Sequence, residues 1–169
     1  MKIIGIVGWK NNGKTTLIEG LVTHFAAMGL SVSTIKHAHH DFDIDHPGKD
    51  SYRHRQDGAE QVIVASKARW ALVHELRGAE EPSLEELLAQ LKPVDLVIVE
   101  GFKQHNHPKI DVVLDETATP IHANGDPSII AAACKNPYLR VQVPILPLDE
   151  PALVADFIIE HLHMSPAYA

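Results

Sequence analysis

Gly8-Trp9-Lys10-Asn11-Asn12-Gly13-Lys14-Thr15 satisfies G-x-x-x-x-G-K-[ST], and it follows the apolar run Ile3, Ile4, Ile6 and Val7. Leu17, Leu21, Phe25 and Met28 then recur at helical spacing until Gly29, so strand, loop and helix come in the order a phosphate-binding P-loop requires. Each residue of the stretch has its own task. The loop's backbone N–H groups form an anion nest, Lys14 reaches the β and γ phosphates, and the Thr15 hydroxyl ligates Mg²⁺. Gly8 and Gly13 let the backbone approach phosphate with no Cβ in the way.

Outward from this loop, the chain alternates. Ser31 to Ile35 reads as a strand, as do Gln61 to Ala65, Trp70 to His74, Val94 to Val99, Ile110 to Leu114 and Ile129 to Ala133. Ser83-Leu84-Glu85-Glu86 spells a capping box, and Asp149-Glu150-Pro151 opens a last helix to about His163. The pattern predicts a three-layer α/β fold of P-loop NTPase type: an open, mainly parallel sheet with helices on both faces, as one domain over 1–169. In such sheets ligands sit beyond the carboxyl ends of the strands. Ile110 to Leu114 is expected to be an exposed edge strand, a place for a partner to pair.

The carboxyl-edge rule gathers further candidates. Glu100 stands at the exit of the run Val94 to Val99, where a carboxylate can join Thr15 on magnesium, which takes hard oxygen ligands; Asp95, at the other end, points away from the phosphates. The polar stretch from His37 to Gly58 is a long loop of the kind that carries function. Within it Asp41 or Asp43 could hold a magnesium-bound water, or simply make Asx turns. Lys49, Arg53 and Arg55 form a cationic cluster fit for a second anionic group, or a solvated helix face. His37, His39 and His40 are capable of binding a transition metal, but structural zinc sites prefer cysteine-containing sets and Cys134 is the only cysteine. Trp9 is not expected in the core; a shield for the nucleotide or a partner contact suits it better. The guanine-reading N-K-x-D signature is absent, and Cys134-Lys135-Asn136 does not match it in order.

Composition sets the outer limits. A chain of 169 residues buries about 70% of its unfolded surface without metal or disulfide staples. Its net charge of −7, with no run of basic residues, disfavours nucleic acid and anionic membranes as partners. No stretch approaches the length of a membrane span. With one cysteine and a strand at the very start, a cytoplasmic protein is expected. Histidine is abundant, at twelve residues.

Four segments together resemble the MobB family of molybdopterin-guanine dinucleotide biosynthesis adapter proteins. They are the loop Gly8 to Thr16, the stretch from Lys36-His37-Ala38-His39-His40 through Pro47-Gly48-Lys49-Asp50-Ser51, Val64-Ala65-Ser66 with Arg69-Trp70-Ala71, and Leu96-Val97-Ile98-Val99-Glu100-Gly101-Phe102-Lys103. The resemblance implies a GTP-binding protein with weak hydrolysis, usually a homodimer, that assists the guanylyltransferase MobA in joining GMP to molybdopterin. It also admits contact with molybdopterin or with assembly of molybdopterin-dependent enzymes. On that reading Gly8, Asn11, Asn12, Gly13, Lys14, Thr15 and Thr16, with Lys49 and Arg53, bind the nucleotide, and Thr15 and Glu100 hold Mg²⁺. No general base or arginine finger is evident near the loop, and an absent group of that kind is worth about 10³ to 10⁵ in rate. Two other activities fit the residues: a P-loop kinase or ligase acting on a small metabolite held by Lys49, Arg53 and Arg55, and a metal-delivery GTPase using His37, His39 and His40.

Overall fold

Leu96-Val97-Ile98-Val99 has no polar side chain to turn toward water, so its strand needs cover on both faces. The computed structural model describes residues 1–38, 42–114, 121–136 and 138–165, and in it these four residues are fully buried in the strand Leu96–Glu100, the fifth in chain order and so β5. Strand β5 lies between β1 (Lys2–Gly8) and β2 (Val32–Lys36), and the sheet continues from β1 through β6 (Lys109–Val113), β7 (Ile129–Cys134) and β8 (Ile145–Pro147). All pairings in this six-stranded sheet are parallel. The register puts Ile6, Lys36 and Glu100 at one level, with Gly8 opposite Val112 two residues beyond.

Alternation along the strands sorts the side chains between two faces. On one face Ile4, Ile6, Ile98, Ile110, Val112 and Ala133 pack with Leu17, Leu21 and Phe25 of α1 (Lys14–Ala27) and with Val154, Ala155 and Ile158 of α4 (Pro151–His161). Full burial of an aliphatic or aromatic side chain contributes about 1.5–3 kcal/mol, so this face carries most of the fold's cohesion. On the other face Val113, Ala132 and Cys134 pack with Leu139, flanked by Ile121, Val141, Val143 and Ile145. A 3-10 turn over His122–Asn124 is held there by the Ala123 amide, which donates to Asp111 Oδ2 at 3.1 Å.

The strand expected at an edge is an interior one. β6 pairs with β1 on one side and β7 on the other, and its five residues are buried. Two of them are charged, which is possible because each has a partner: Lys109 Nζ lies 3.2 Å from Asp126 Oδ2 and also donates to Ser128 Oγ, and Asp111 takes the amide just described. Asp95 is structural: Ser31 donates to its Oδ2 through both N and Oγ, at 2.7 and 2.5 Å, which holds its carboxyl below the usual range.

Residues Ala38–Glu86 form a second compact unit. It contains α2 (Asp50–Gln56), the antiparallel hairpin of β3 (Gln61–Ala65) and β4 (Trp70–His74), and the start of α3 (Leu84–Ala89). The capping box forms as the sequence spells it, with Glu86 N donating to Ser83 Oγ and Ser83 N to Glu86 Oε2. Too little is apolar here for a core like that of the sheet, and ion pairing supplies cohesion instead. Arg55, only 7% exposed, meets Asp43 at 2.9 Å, Glu75 at 2.5 Å and Asp45 at 3.6 Å. Those carboxylates hold its guanidinium firmly charged, and Arg55 in turn keeps the Asp43 carboxyl low. One face of the hairpin is apolar yet open: Ile63 stands opposite Leu72 and Ala65 opposite Trp70, with Ile63 and Trp70 each more than half exposed.

Candidate functional site

A helix leaves its first N–H groups without intrahelical partners, and a side-chain cap normally takes one of them. Helix α1 has no such cap. Its N-cap is Gly13, at φ +86°, no side chain bonds the first-turn amides, and no acid lies in the first turn. Over 14 residues the aligned peptide dipoles leave a positive end facing the loop, and this is the geometry that receives an anion. Asn12 Nδ2 donates to the Val112 carbonyl at 3.0 Å and ties the loop to β6. Gly8, at φ +140°, passes so close to that strand that a Cβ would sit 2.5 Å from Val112 O.

Charge converges on the same place. Lys14 Nζ donates to the Trp9 carbonyl at 2.7 Å, folding back over the loop it belongs to. Burial lowers the Lys14 pKa, Glu100 opposes that shift, and Lys103 and Lys36 reinforce it. A bound phosphate would relieve this cation crowding. Glu100 is half-buried at the end of β5 and pairs with Lys36 Nζ at 3.3 Å. Thr15 and Thr16 are exposed on the first turn of α1. A hydroxyl and a carboxylate are hard oxygen donors, the set magnesium takes, so Thr15 and Glu100 suit that ion by chemistry.

Trp9 stacks on His122, with centroids 5.3 Å apart and planes at 17°, and Lys103 Nζ lies 4.8 Å from the Trp9 ring centre. It is outside the core, as expected from the sequence, though only 39% exposed. Its ring links the loop to the sheet's second face. Nothing in the sequence marked His122, one histidine among twelve, because its role depends on the 3-10 turn that carries it. Burial lowers the His122 pKa and raises that of neighbouring Asp111. At the far end of the carboxyl edge, Lys135 and Asp149 pair at 2.9 Å, and Leu148 lies within van der Waals reach of a Cβ built on Gly13.

Other candidates belong to the second unit. Lys49 and Arg53 are exposed at the start and on the surface of α2, whereas Arg55 is committed to three carboxylates and offers no open fork to a metabolite. Asp43 turns both carboxylate oxygens to Arg55, each at 2.9 Å, and one of them also caps the Asp45 amide. Asp41, His39 and His40 lie outside the described residues. His37 packs on Phe102, centroids 4.7 Å apart, and no group of three metal-capable side chains occurs among the described residues.

A parallel sheet, a glycine-hinged loop from its β1 and an uncapped helix behind that loop define a protein of the P-loop NTPase fold class. The family model for molybdopterin guanine dinucleotide synthesis protein B matches residues 3–135, and the chain belongs to this family, MobB. It is similar to the molybdopterin-guanine dinucleotide biosynthesis adapter protein of Escherichia coli, at 39% identity over 94% of this chain and 91% of that one. The protein of the same description from Haemophilus influenzae is also 39% identical, over 95% of this chain and 89% of its own. Among solved structures, Bacillus subtilis MobB superimposes with a TM-score of 0.77 at 25% identity, covering 96% and 98% of the two chains. A crystal structure of molybdopterin-guanine biosynthesis protein B gives 0.75 at 28%, covering 95% and 99%.

Proposed function

We propose that this chain is a GTP-binding accessory protein of molybdenum cofactor biosynthesis. In this role it assists the guanylyltransferase MobA that joins GMP to molybdopterin, and by itself hydrolyses GTP only slowly. The carrying observation is the uncapped N-terminus of α1, with Lys14 folded over its loop and Glu100 beside it. Relatives covering nearly the whole chain, described as adapter proteins of this pathway, support the accessory role. Asn11 to Thr16 enclose the phosphates in this reading, and Thr15 and Glu100 hold Mg²⁺. Magnesium would neutralise phosphate charge, while Lys36, now paired with Glu100, becomes free to turn to the nucleotide. Titration calorimetry of Glu100→Gln tests this. Magnesium should strengthen GTP binding to the unaltered chain but lose about 10- to 100-fold of its own affinity in the variant; an unchanged magnesium dependence removes Glu100 from the site.

The chain also functions, in this reading, as a homodimer in the cytoplasm; no described helix is long and apolar enough to cross a membrane. An isolated two-stranded hairpin is marginal in water, and the open face of Ile63, Leu72 and Trp70 gains most from a second copy of itself. Trp70→Glu should therefore shift the chain from dimer to monomer in sedimentation equilibrium at micromolar concentration. A dimer of unchanged affinity would place the contact elsewhere.

A further inference from the structure

A cavity of about 390 Å³ opens on the sheet face opposite α1, and nothing assigned so far occupies it. Val7 contributes to its wall from β1 and Lys109 from β6, while Lys103 to Asn106, His122 and the turn Gly125 to Ser128 surround it. It adjoins the P-loop through shared side chains: His122 and Lys103 line the cavity and also contact the Trp9 ring.

The polarity of the lining is one-sided. Asp126 is the acid among the described lining residues; its side chain is 30% exposed, but both its oxygens are engaged by neighbours in the wall. Its Oδ1 accepts from Ser128 N at 2.9 Å and Ser128 Oγ at 2.5 Å, and its Oδ2 faces the buried Lys109 ammonium at 3.2 Å. Lys109 is only 1% exposed, so this pair is a fixed part of the fold. Also lining the cavity are the Lys103 ammonium, the His122 imidazole and the amides of Gln104 and Asn106. That set donates hydrogen bonds, and Lys103 carries its positive charge; it suits a compact anion. The volume exceeds what a lone phosphate needs and leaves room for the group bearing it.

We infer that this cavity holds an organic phosphate monoester beside the nucleotide, with Lys103 and His122 as its principal contacts. The inference rests on the proposed role, in which a nucleotide is joined to a pterin's phosphate. It places that phosphate across the Trp9 ring from the GTP phosphates, so one loop senses both ligands.

The test uses the full-length chain with Lys14→Ala, which disables the P-loop anion site, and follows the His122 ring and Trp9 indole resonances by NMR. Phenyl phosphate and inorganic phosphate are titrated at constant ionic strength, chloride serving as control. The inference expects saturable shifts with phenyl phosphate and an affinity at least about tenfold weaker when Lys103→Ala is added, a loss of about 1.4 kcal/mol. Shifts matched by chloride, or an affinity that Lys103→Ala and His122→Asn leave unchanged, overturn it. Saturation by inorganic phosphate with none by phenyl phosphate also overturns it, since the site would then take a free anion and no ester. GTP titration of the unaltered chain is read separately: GTP bound without the monoester refutes the cavity alone, and the monoester bound without GTP refutes the P-loop reading alone.

Discussion

Lys14→Ala should weaken GTP binding by about 100-fold or more. A hydrogen bond to a charged group is worth about 1.5–3 kcal/mol, and in the proposed site Lys14 would offer its ammonium to two phosphates, while each 1.4 kcal/mol is a factor of ten. The fold should be little affected, because among the described residues Lys14 donates to the nearby Trp9 carbonyl and is not part of the apolar core. Lys10→Ala is the matched control: the side chain is exposed and lies in the same loop, so it removes an equal charge without removing the phosphate contact. Calorimetric titration of both variants separates a specific contact from a general loss of positive field. Equal affinity in Lys14→Ala and the unaltered chain contradicts the P-loop assignment.

Gly8→Ala should damage both the fold and the site. A non-glycine residue forced to φ +140° sits in a sparsely populated region at a cost of about 1–3 kcal/mol, and the new Cβ would lie 2.5 Å from a backbone oxygen, Val112 O. Neither β1 nor β6 can yield cheaply, since the two are hydrogen-bonded neighbours in mid-sheet. The urea midpoint should fall, and GTP affinity with it, because Asn12 anchors the loop to the same Val112 carbonyl. Gly125→Ala is the comparison, since its Cβ would meet nothing within 4 Å; such a surface change stays within about 0.5 kcal/mol. Equal midpoints for the two variants would show that β1 and β6 tolerate displacement at the loop's root.

The strands were legible wherever a continuous apolar run met a turn residue, as at Leu96-Val97-Ile98-Val99 before Glu100-Gly101. The capping box at Ser83 was legible too, because its two partners are three residues apart. Strand β8 was not, since Ile145-Leu146-Pro147 is too short for periodicity to register and ends in proline. The interior position of β6 escaped for a different reason. Lys109 and Asp111 are buried by partners at Asp126, Ser128 and Ala123, and pairings over such separations leave no local trace. The loop between β1 and α1 was legible as a turn because its glycines and its motif are contiguous in the chain. The Trp9, His122 and Lys103 contact needed three loops folded together, and the loss of Arg55 to Asp43, Asp45 and Glu75 depended on residues 10 to 20 positions away in the chain meeting one side chain.

If GTP held at Lys14 lets this chain assist the transferase, dinucleotide synthesis reads the effect directly. Purified MobA, molybdopterin and magnesium GTP would be combined with and without the chain, and molybdopterin guanine dinucleotide quantified against time. Formation should be faster in the presence of the chain, with no gain from Lys14→Ala. Formation unchanged by the chain, or stimulated equally by Lys14→Ala, would contradict it.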